Sequence, residues 1–300
     1  MWFFLMIGYH QGEIEVQEKS CLREEASRIS KIIRNDIPDV AARFIERQVM
    51  LIIGLKDEKG FVWASLVYGE PGFVKAVDQQ TISVLSLPFK SDPLFVGMKA
   101  GNNLGILAIE FATRKRMRLN GLITQVHDTG FNVKTREVYS NCPKFIHSRK
   151  FSGFETMKSI ETKKSTQLDK GQIEKIRLAD TFFIATHHLE SGADVSHRGG
   201  LPGFVHIVDP CTLVIKDYTG NAMFNTLGNL VENPQMGLLF LDFEAGDLLQ
   251  VNGEATVQWE GTEKSIYFNV RQIRSVIGGF PLRWEFGSYS PFNPPILDQN

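Results

Sequence analysis

The chain has 300 residues, 33 basic and 34 acidic, for a net charge of -1 at pH 7. That length exceeds what one hydrophobic core normally fills, so two domains or one duplicated domain are expected. The near-zero charge leaves no global field to hold nucleic acid or an anionic membrane, and 43% hydrophobic against 22% charged residues excludes a mostly disordered chain.

In chain order, residues 1–7 are apolar, but they carry no basic leader and are too short to span a bilayer, so a packed or frayed end is expected. Residues 36–48 place Ile37, Val40, Ala41, Phe44 and Ile45 on one stripe at helical spacing, with Asp36 as cap and Pro38 in the first turn; this predicts a packing helix. Two apolar runs, 49–55 and 61–67, flank an Asp57-Glu58-Lys59-Gly60 turn and predict a β-hairpin. A strand over 81–87, a short helix and two further strands follow. Residues 155–170, with Lys163-Lys164-Ser165-Thr166-Gln167, read as a polar linker. The pattern then returns: an apolar run at 181–186, a turn at Glu190-Ser191-Gly192, a strand from Ala193, a strand over 212–216, a short helix and two strands. From Gly278 the chain is rich in Pro and Phe and contains Trp284, which predicts an extended arm laid over a surface. Its apolar stretch from Phe280 to Phe292 favours a homodimer. The resulting divisions are an N-terminal helical segment (1–48), a first barrel copy (49–154), a linker (155–170), a second copy (171–277) and a C-terminal arm (278–300).

The return of the pattern is a true repeat. Residues 69–78 read Gly-Glu-Pro-Gly-Phe-Val-Lys-Ala-Val-Asp, and residues 200–209 read Gly-Leu-Pro-Gly-Phe-Val-His-Ile-Val-Asp. The offset (203 − 72 = 131) nearly persists between Gly105 and Gly237 (237 − 105 = 132) and again between Asn120-Gly121 and Asn252-Gly253. One period of about half the chain, seen twice, is a domain duplication and not a solenoid. Short antiparallel strands at this spacing make each copy a small barrel, so the fold class is mainly β with flanking helices.

Alternation along the last strand of each copy separates two faces. Met117 and Leu119 share one face of the first copy, and Arg116, Arg118 and Asn120 share the other. In the second copy Leu249, Val251 and Gly253 lie inward, with Leu248, Gln250 and Asn252 outward. The arginines therefore belong to the first copy alone, either solvated or in contact with an anion or the other copy. Conversely, Asp194-Val195-Ser196-His197-Arg198-Gly199-Gly200 replaces the apolar Trp63-Ala64-Ser65-Leu66-Val67-Tyr68-Gly69, which suggests a ligand site formed in the second half. Downstream, Phe224-Asn225-Thr226-Leu227-Gly228-Asn229-Leu230 is a helix start rich in neutral donors. Free N–H groups and the dipole there suit an anion, phosphate above all, with Arg198 supplying charge. No nucleotide-hydrolase, dinucleotide, serine-hydrolase or zincin motif occurs. His187 and His188 fall on opposite faces of a strand end, so no metal site is expected. Cys21, Cys142 and Cys211 form no C-x-x-C pair, which fits a reducing cytoplasm.

These segments resemble the pyridoxamine 5'-phosphate oxidase-like, FMN-binding split-barrel family. More narrowly they resemble its duplicated bacterial members, through Tyr9-His10-Gln11-Gly12-Glu13, Trp63-Ala64-Ser65, Arg116-Met117-Arg118-Leu119-Asn120-Gly121, Asn141-Cys142-Pro143-Lys144 and the two second-copy segments above. The resemblance implies two tandem split β-barrels with FMN in a groove between barrels. Carried over by position, Ser196, His197 and Arg198 flank the flavin or its phosphate, Asn225, Thr226 and Asn229 complete the phosphate end, and Arg116, Arg118 and residues 141–144 approach from the first copy. It further implies an FMN-dependent oxidoreductase acting on a small molecule with NADH or NADPH as donor. Two alternatives are a flavin-binding electron shuttle served by a separate reductase, and a haem-binding split barrel with His197 or His206 as axial ligand. The family's vitamin B6 oxidases place an Arg-Lys pair where this chain has Asn225-Thr226, so pyridoxamine phosphate is not the expected substrate.

Overall fold

The computed structural model describes residues 8–156 and 160–294; the apolar opening at 1–7 lies outside the described residues. Three helices come first: α1 (Gln11–Lys19), α2 (Arg23–Ile29) and α3 (Asp39–Glu46). Helix α3 begins two residues later than its apolar stripe suggests. Ile37 precedes a proline and is steered away from helical backbone angles, so the helix can start only beyond Pro38. Asp36 instead pairs with Arg34 at 2.6 Å, and Val40 is exposed while Ala41, Phe44 and Ile45 are buried.

The first half contributes β1 (Met50–Lys56), β2 (Val62–Tyr68), β3 (Val74–Ala76), β4 (Thr81–Val84), β5 (Asn103–Glu110), β6 (Lys115–His127) and β7 (Gly130–Asn141). Then come β8 (Ser148–Phe154), β9 (Glu161–Ser165) and α4 (Lys170–Leu178), the last opened by a reciprocal Asp169–Gln172 cap. The second half holds β10 (Thr181–His188), β11 (Gly192–Gly199), β12 (Val205–Asp209), β13 (Thr212–Lys216), α5 (Asn225–Glu232), β14 (Gln235–Leu241), β15 (Leu248–Glu260) and β16 (Glu263–Ile277), and β17 (Leu282–Ser288) is the last strand among the described residues.

The two large sheets have the same strand order: β2-β1-β5-β6-β7-β4-β3 in the first half and β11-β10-β14-β15-β16-β13-β12 in the second. Each curls into a split barrel around its own apolar core. The repeated glycines explain themselves in this frame. Gly72 and Gly203 take φ of +95° and +91° in the turn before β3 and β12, a conformation that favours residues lacking Cβ. Gly121 and Gly253 follow the same bulge in β6 and β15, where an added Cβ would lie 2.2 Å from the Lys134 carbonyl and 2.0 Å from that of Asn269.

A third apolar cluster lies between the barrels, with Ile52, Leu66 and Leu107 of one half packed with Phe183, Val195 and Leu239 of the other. This is why Leu248, Gln250 and Asn252, outward from their own barrel, are buried. Three further expectations are modified. Residues 92–98 of the first half form turns where the second half has α5; Pro93 and Gly97 interrupt that stretch. Within 155–170, β9 pairs along β16 instead of serving only as a connection. The C-terminal segment pairs with β8, and Phe280, Leu282 and Trp284 are buried on their own chain, Trp284 against Phe111, Phe243 and Phe151. Among the described residues no helix is long and apolar enough to cross a membrane.

Candidate functional site

Strand β6 of the first half reaches across the interface onto β11 of the second. Alternation turns Arg116, Arg118 and Asn120 toward β11, while Leu119 enters the first barrel's core. Arg118 is 7% exposed, so it is no solvated surface residue. Its Nε donates to the Val195 carbonyl at 2.9 Å, one Nη donates to Asn225 Oδ1 at 2.6 Å and to the Tyr139 hydroxyl at 3.0 Å, and the other donates to Ser196 Oγ. Ser196 and Thr226 hydroxyls lie 2.7 Å apart. One guanidinium thus gathers β11 and the first turn of α5. Burial would pull its pKa down, but Asp194 at 3.4 Å, together with Tyr139, raises it overall.

Arg116 and Arg198 complete the group. Arg116 donates to His197 Nδ1 at 3.0 Å and to the His197 carbonyl at 3.2 Å. Since Nδ1 accepts that bond, the neutral ring carries its proton on Nε2, which is buried without a partner. His197 is 3% exposed, and burial followed by repulsion from Arg116 holds its pKa well below the ordinary histidine value. Arg198 reaches Asp217 at 3.3 Å. The Nε atoms of both Arg116 and Arg198 are buried and unpartnered. Among the described residues Arg116 has no carboxylate partner; burial, then Arg118 and Arg198, push its pKa down to about 9. Arg116, Arg118, His197, Arg198, Tyr218 and Asn221 line one cavity, which continues past Arg198 to Asn225 and Thr226 at the start of α5. Three guanidiniums line this cavity against one lining carboxylate, Asp217, which makes it a place for an anion.

Of the residues expected there, Ser196, His197, Arg198, Asn225, Thr226, Arg116 and Arg118 come together, and Asn141 joins them on the wall. Asn229 does not. One full turn into α5, it is beyond the free N–H groups of the helix start; it donates to Thr186 Oγ1 at 2.8 Å and meets His10 Nε2 at 2.9 Å. Its neighbourhood is the junction of α1 with α5, where His10 also stacks on His188 at 4.0 Å and Glu232 bonds both rings. Ligand atoms of His10, His188 and Glu232 lie within 4.8 Å of one another. The imidazole planes are only 11° apart, however, so their in-plane lone pairs run side by side and do not converge, and His188 Nδ1 already accepts from two backbone N–H groups. The cluster is a latch between helices. His206, the other candidate axial ligand, is exposed on β12, away from the cavity.

Sequence patterns left out several residues that organise the site. Glu13 of α1 is 5% exposed and accepts from Asn225 Nδ2 at 2.5 Å and from the His10 N–H at 2.9 Å. Burial and then Glu137 push its pKa up to about 8. Asn120 donates to both Glu137 and Asp194, tying the acidic group behind Arg118 together. The position of Glu13 in the Tyr9-Glu13 segment was a visible signal, whereas Tyr139 and Glu137 lie on β7 with nothing in the local sequence to mark them.

The described geometry has relatives. Solved structures similar to part of this chain include HupZ of Group A Streptococcus (15% identity over 35% of this chain and 98% of that one, TM-score 0.30). Others are an FMN-binding protein from Syntrophomonas wolfei (12%, 35% and 87%, 0.28) and an FAD-binding protein from Mycobacterium smegmatis (13%, 40% and 99%, 0.27). No curated protein matches the sequence. Residues 170–285, in the second half of this chain, match the model of the family described as pyridoxamine 5'-phosphate oxidase.

Proposed function

We propose that this chain is an FMN-binding flavoprotein that works as an oxidoreductase, passing hydride or electrons from NADH or NADPH to a small-molecule substrate. The observation that carries the reading is Arg116: a half-buried guanidinium whose Nε is buried and unpartnered, with no carboxylate partner among the described residues, beside Arg118 and Arg198 in a cavity between the barrels. A phosphate dianion would relieve the repulsion among the three cations and give the unpartnered Nε atoms of Arg116 and Arg198 an acceptor. The residues therefore fit the phosphate end of a flavin. Asn225-Thr226 stands where the vitamin B6 oxidases carry Arg-Lys, and here the positive charge comes across the interface from β6 instead.

Flavin, when bound, supplies the redox chemistry itself. The chain's own residues divide the remaining work. Arg116, Arg118 and Arg198 hold negative charge, Ser196, Thr226 and Asn225 offer neutral polar contacts at the helix start, and His197 presents a neutral Nε2–H. Arg118, Ser196, His197 and Thr226 are buried, which strengthens the interactions these groups make.

The absorption spectrum of freshly purified protein tests the reading. Flavin bands support it, a Soret band supports the haem alternative, and a colourless protein that takes up no added FMN sinks both. Steady NADH or NADPH oxidation separates the enzyme from an electron shuttle, whose flavin would be reducible chemically yet idle with either nucleotide. Arg198→Ala combined with Asn225→Ala is expected to weaken FMN binding strongly; undiminished affinity would place the phosphate elsewhere.

A further inference from the structure

Contacts across the interface come in pairs related by the duplication. Arg118 Nε donates to the Val195 carbonyl at 2.9 Å, and Gln250 Nε2 donates to the Ala64 carbonyl at 3.0 Å. Arg118 lies beside Leu107 in its sheet and Gln250 beside Leu239; Ser196 lies beside Ile184 and Ser65 beside Ile53. All four pairs obey the repeat offset. A second place therefore exists where β15 of the second half crosses β2 of the first, equivalent to the arginine cavity. Ser196 faces Thr226 at the start of α5; Ser65 faces Asp92 at the start of the turns that replace that helix.

Asp92 is 6% exposed and fully engaged. Its Oδ2 accepts from Ser65 Oγ at 2.6 Å and from Gln250 Nε2 at 3.1 Å, and its Oδ1 accepts from the Leu94 N–H at 2.8 Å. Arg274, paired with Gln250 as Tyr139 is with Arg118, brings Nη1 to 4.0 Å from Asp92 Oδ2. The counterparts of Arg116 and Arg198 are Leu248 and Val67, both buried among apolar neighbours. Three guanidiniums and one carboxylate line the first cavity; in its equivalent one cation already has an internal carboxylate.

We propose that Asp92 is a built-in anion that closes the equivalent site, so that a chain with two barrels takes one phosphate-bearing ligand and not two. The inference rests on the proposed flavin site for the identity of the ligand, but its core is the latent anion site beneath Asp92. Removing the carboxylate leaves Arg274, Ser65 and Gln250 facing an empty place that a small anion can enter.

Two measurements test this. Calorimetric titration of ligand-free wild-type protein with FMN should give one site per chain; two sites overturn the proposal. Asp92→Ala should melt lower than wild type in phosphate-free buffer. Excess inorganic phosphate should then raise its Tm by about 2–4 °C more than it raises that of wild type at matched ionic strength. An equal phosphate response in the two proteins overturns the latent site. If wild type takes up no FMN, the flavin reading fails while the phosphate comparison still decides the role of Asp92. If Asp92→Ala cannot be obtained folded, the wild-type FMN stoichiometry decides.

Discussion

Arg116 costs the folded chain a half-buried charge without a carboxylate partner among the described residues, and that cost is what a ligand can relieve. A hydrogen bond to a charged group contributes about 1.5–3 kcal/mol, so Arg116→Ala should weaken FMN about 10–100-fold. Riboflavin, which lacks the phosphate, should bind the variant and the wild type alike; fluorescence titration of both ligands checks this. Glu13 makes the opposite kind of statement. Its folded pKa is raised from 4.5 to about 8, so it is held protonated in the native state. Its contribution to stability is full below pH 4.5 and is lost as pH rises through about 8. Glu13→Gln, fixed in the neutral form, should therefore gain on wild type between those limits, by at most roughly 1.4 kcal/mol per pH unit, and the gap should level off above. Urea denaturation at a series of pH values reads that difference; a gap that does not change with pH would mean that Glu13 is ionised throughout.

At the scale of elements, the site depends on how closely α1 lies on α5. A Cβ added at Gly12 would sit 2.3 Å from the Gly228 carbonyl, and one added at Gly228 would sit 2.6 Å from Glu13 backbone. The two glycines let the helices touch at backbone distance, which brings Glu13 to Asn225 and closes the His10–His188–Glu232 latch. Gly228→Ala should destabilise the protein by about 1–3 kcal/mol through overpacking, visible as a lower denaturation midpoint. It should also loosen α1, so that limited proteolysis cuts near residues 11–19 first. Between the sheets Gly105 and Gly237 play matching parts: an added Cβ would lie 2.9 Å from Ala193 backbone in one case and 2.7 Å from Trp63 Cα in the other.

For the whole molecule, the cluster between the barrels decides behaviour. Ile52, Leu107, Phe183 and Leu239 are fully buried, yet each faces the opposite half. Fastening is added by Arg149 of β8, which grips both oxygens of Asp180 at 2.6 and 2.7 Å and lies over the Phe243 ring. Neither barrel has a soluble outer face on that side. Thermal unfolding should accordingly be one cooperative transition by calorimetry, and residues 8–154 expressed alone should associate or aggregate instead of forming a stable monomer; two separated transitions would contradict this.

The sequence by itself determined the duplication and which faces of β6 and β15 carry polar residues. Those features are local: the Pro-Gly-Phe-Val turns need glycine at positive φ, the Asn-Gly bulges need it for close approach, and alternation of period two is read directly along a strand. It also marked Ser196, His197, Arg198, Asn225 and Thr226. The tertiary structure decided what these groups do, because the cost of a charge depends on partners that only folding supplies. Arg118 finds Asp194 and Arg274 finds Asp92, whereas Arg116 finds none among the described residues. Asn229, placed in the same motif, is turned by one helical turn toward His10 instead. Duplication could be counted from the chain; the difference between an open cavity and one closed by its own carboxylate arises only where two distant strands cross.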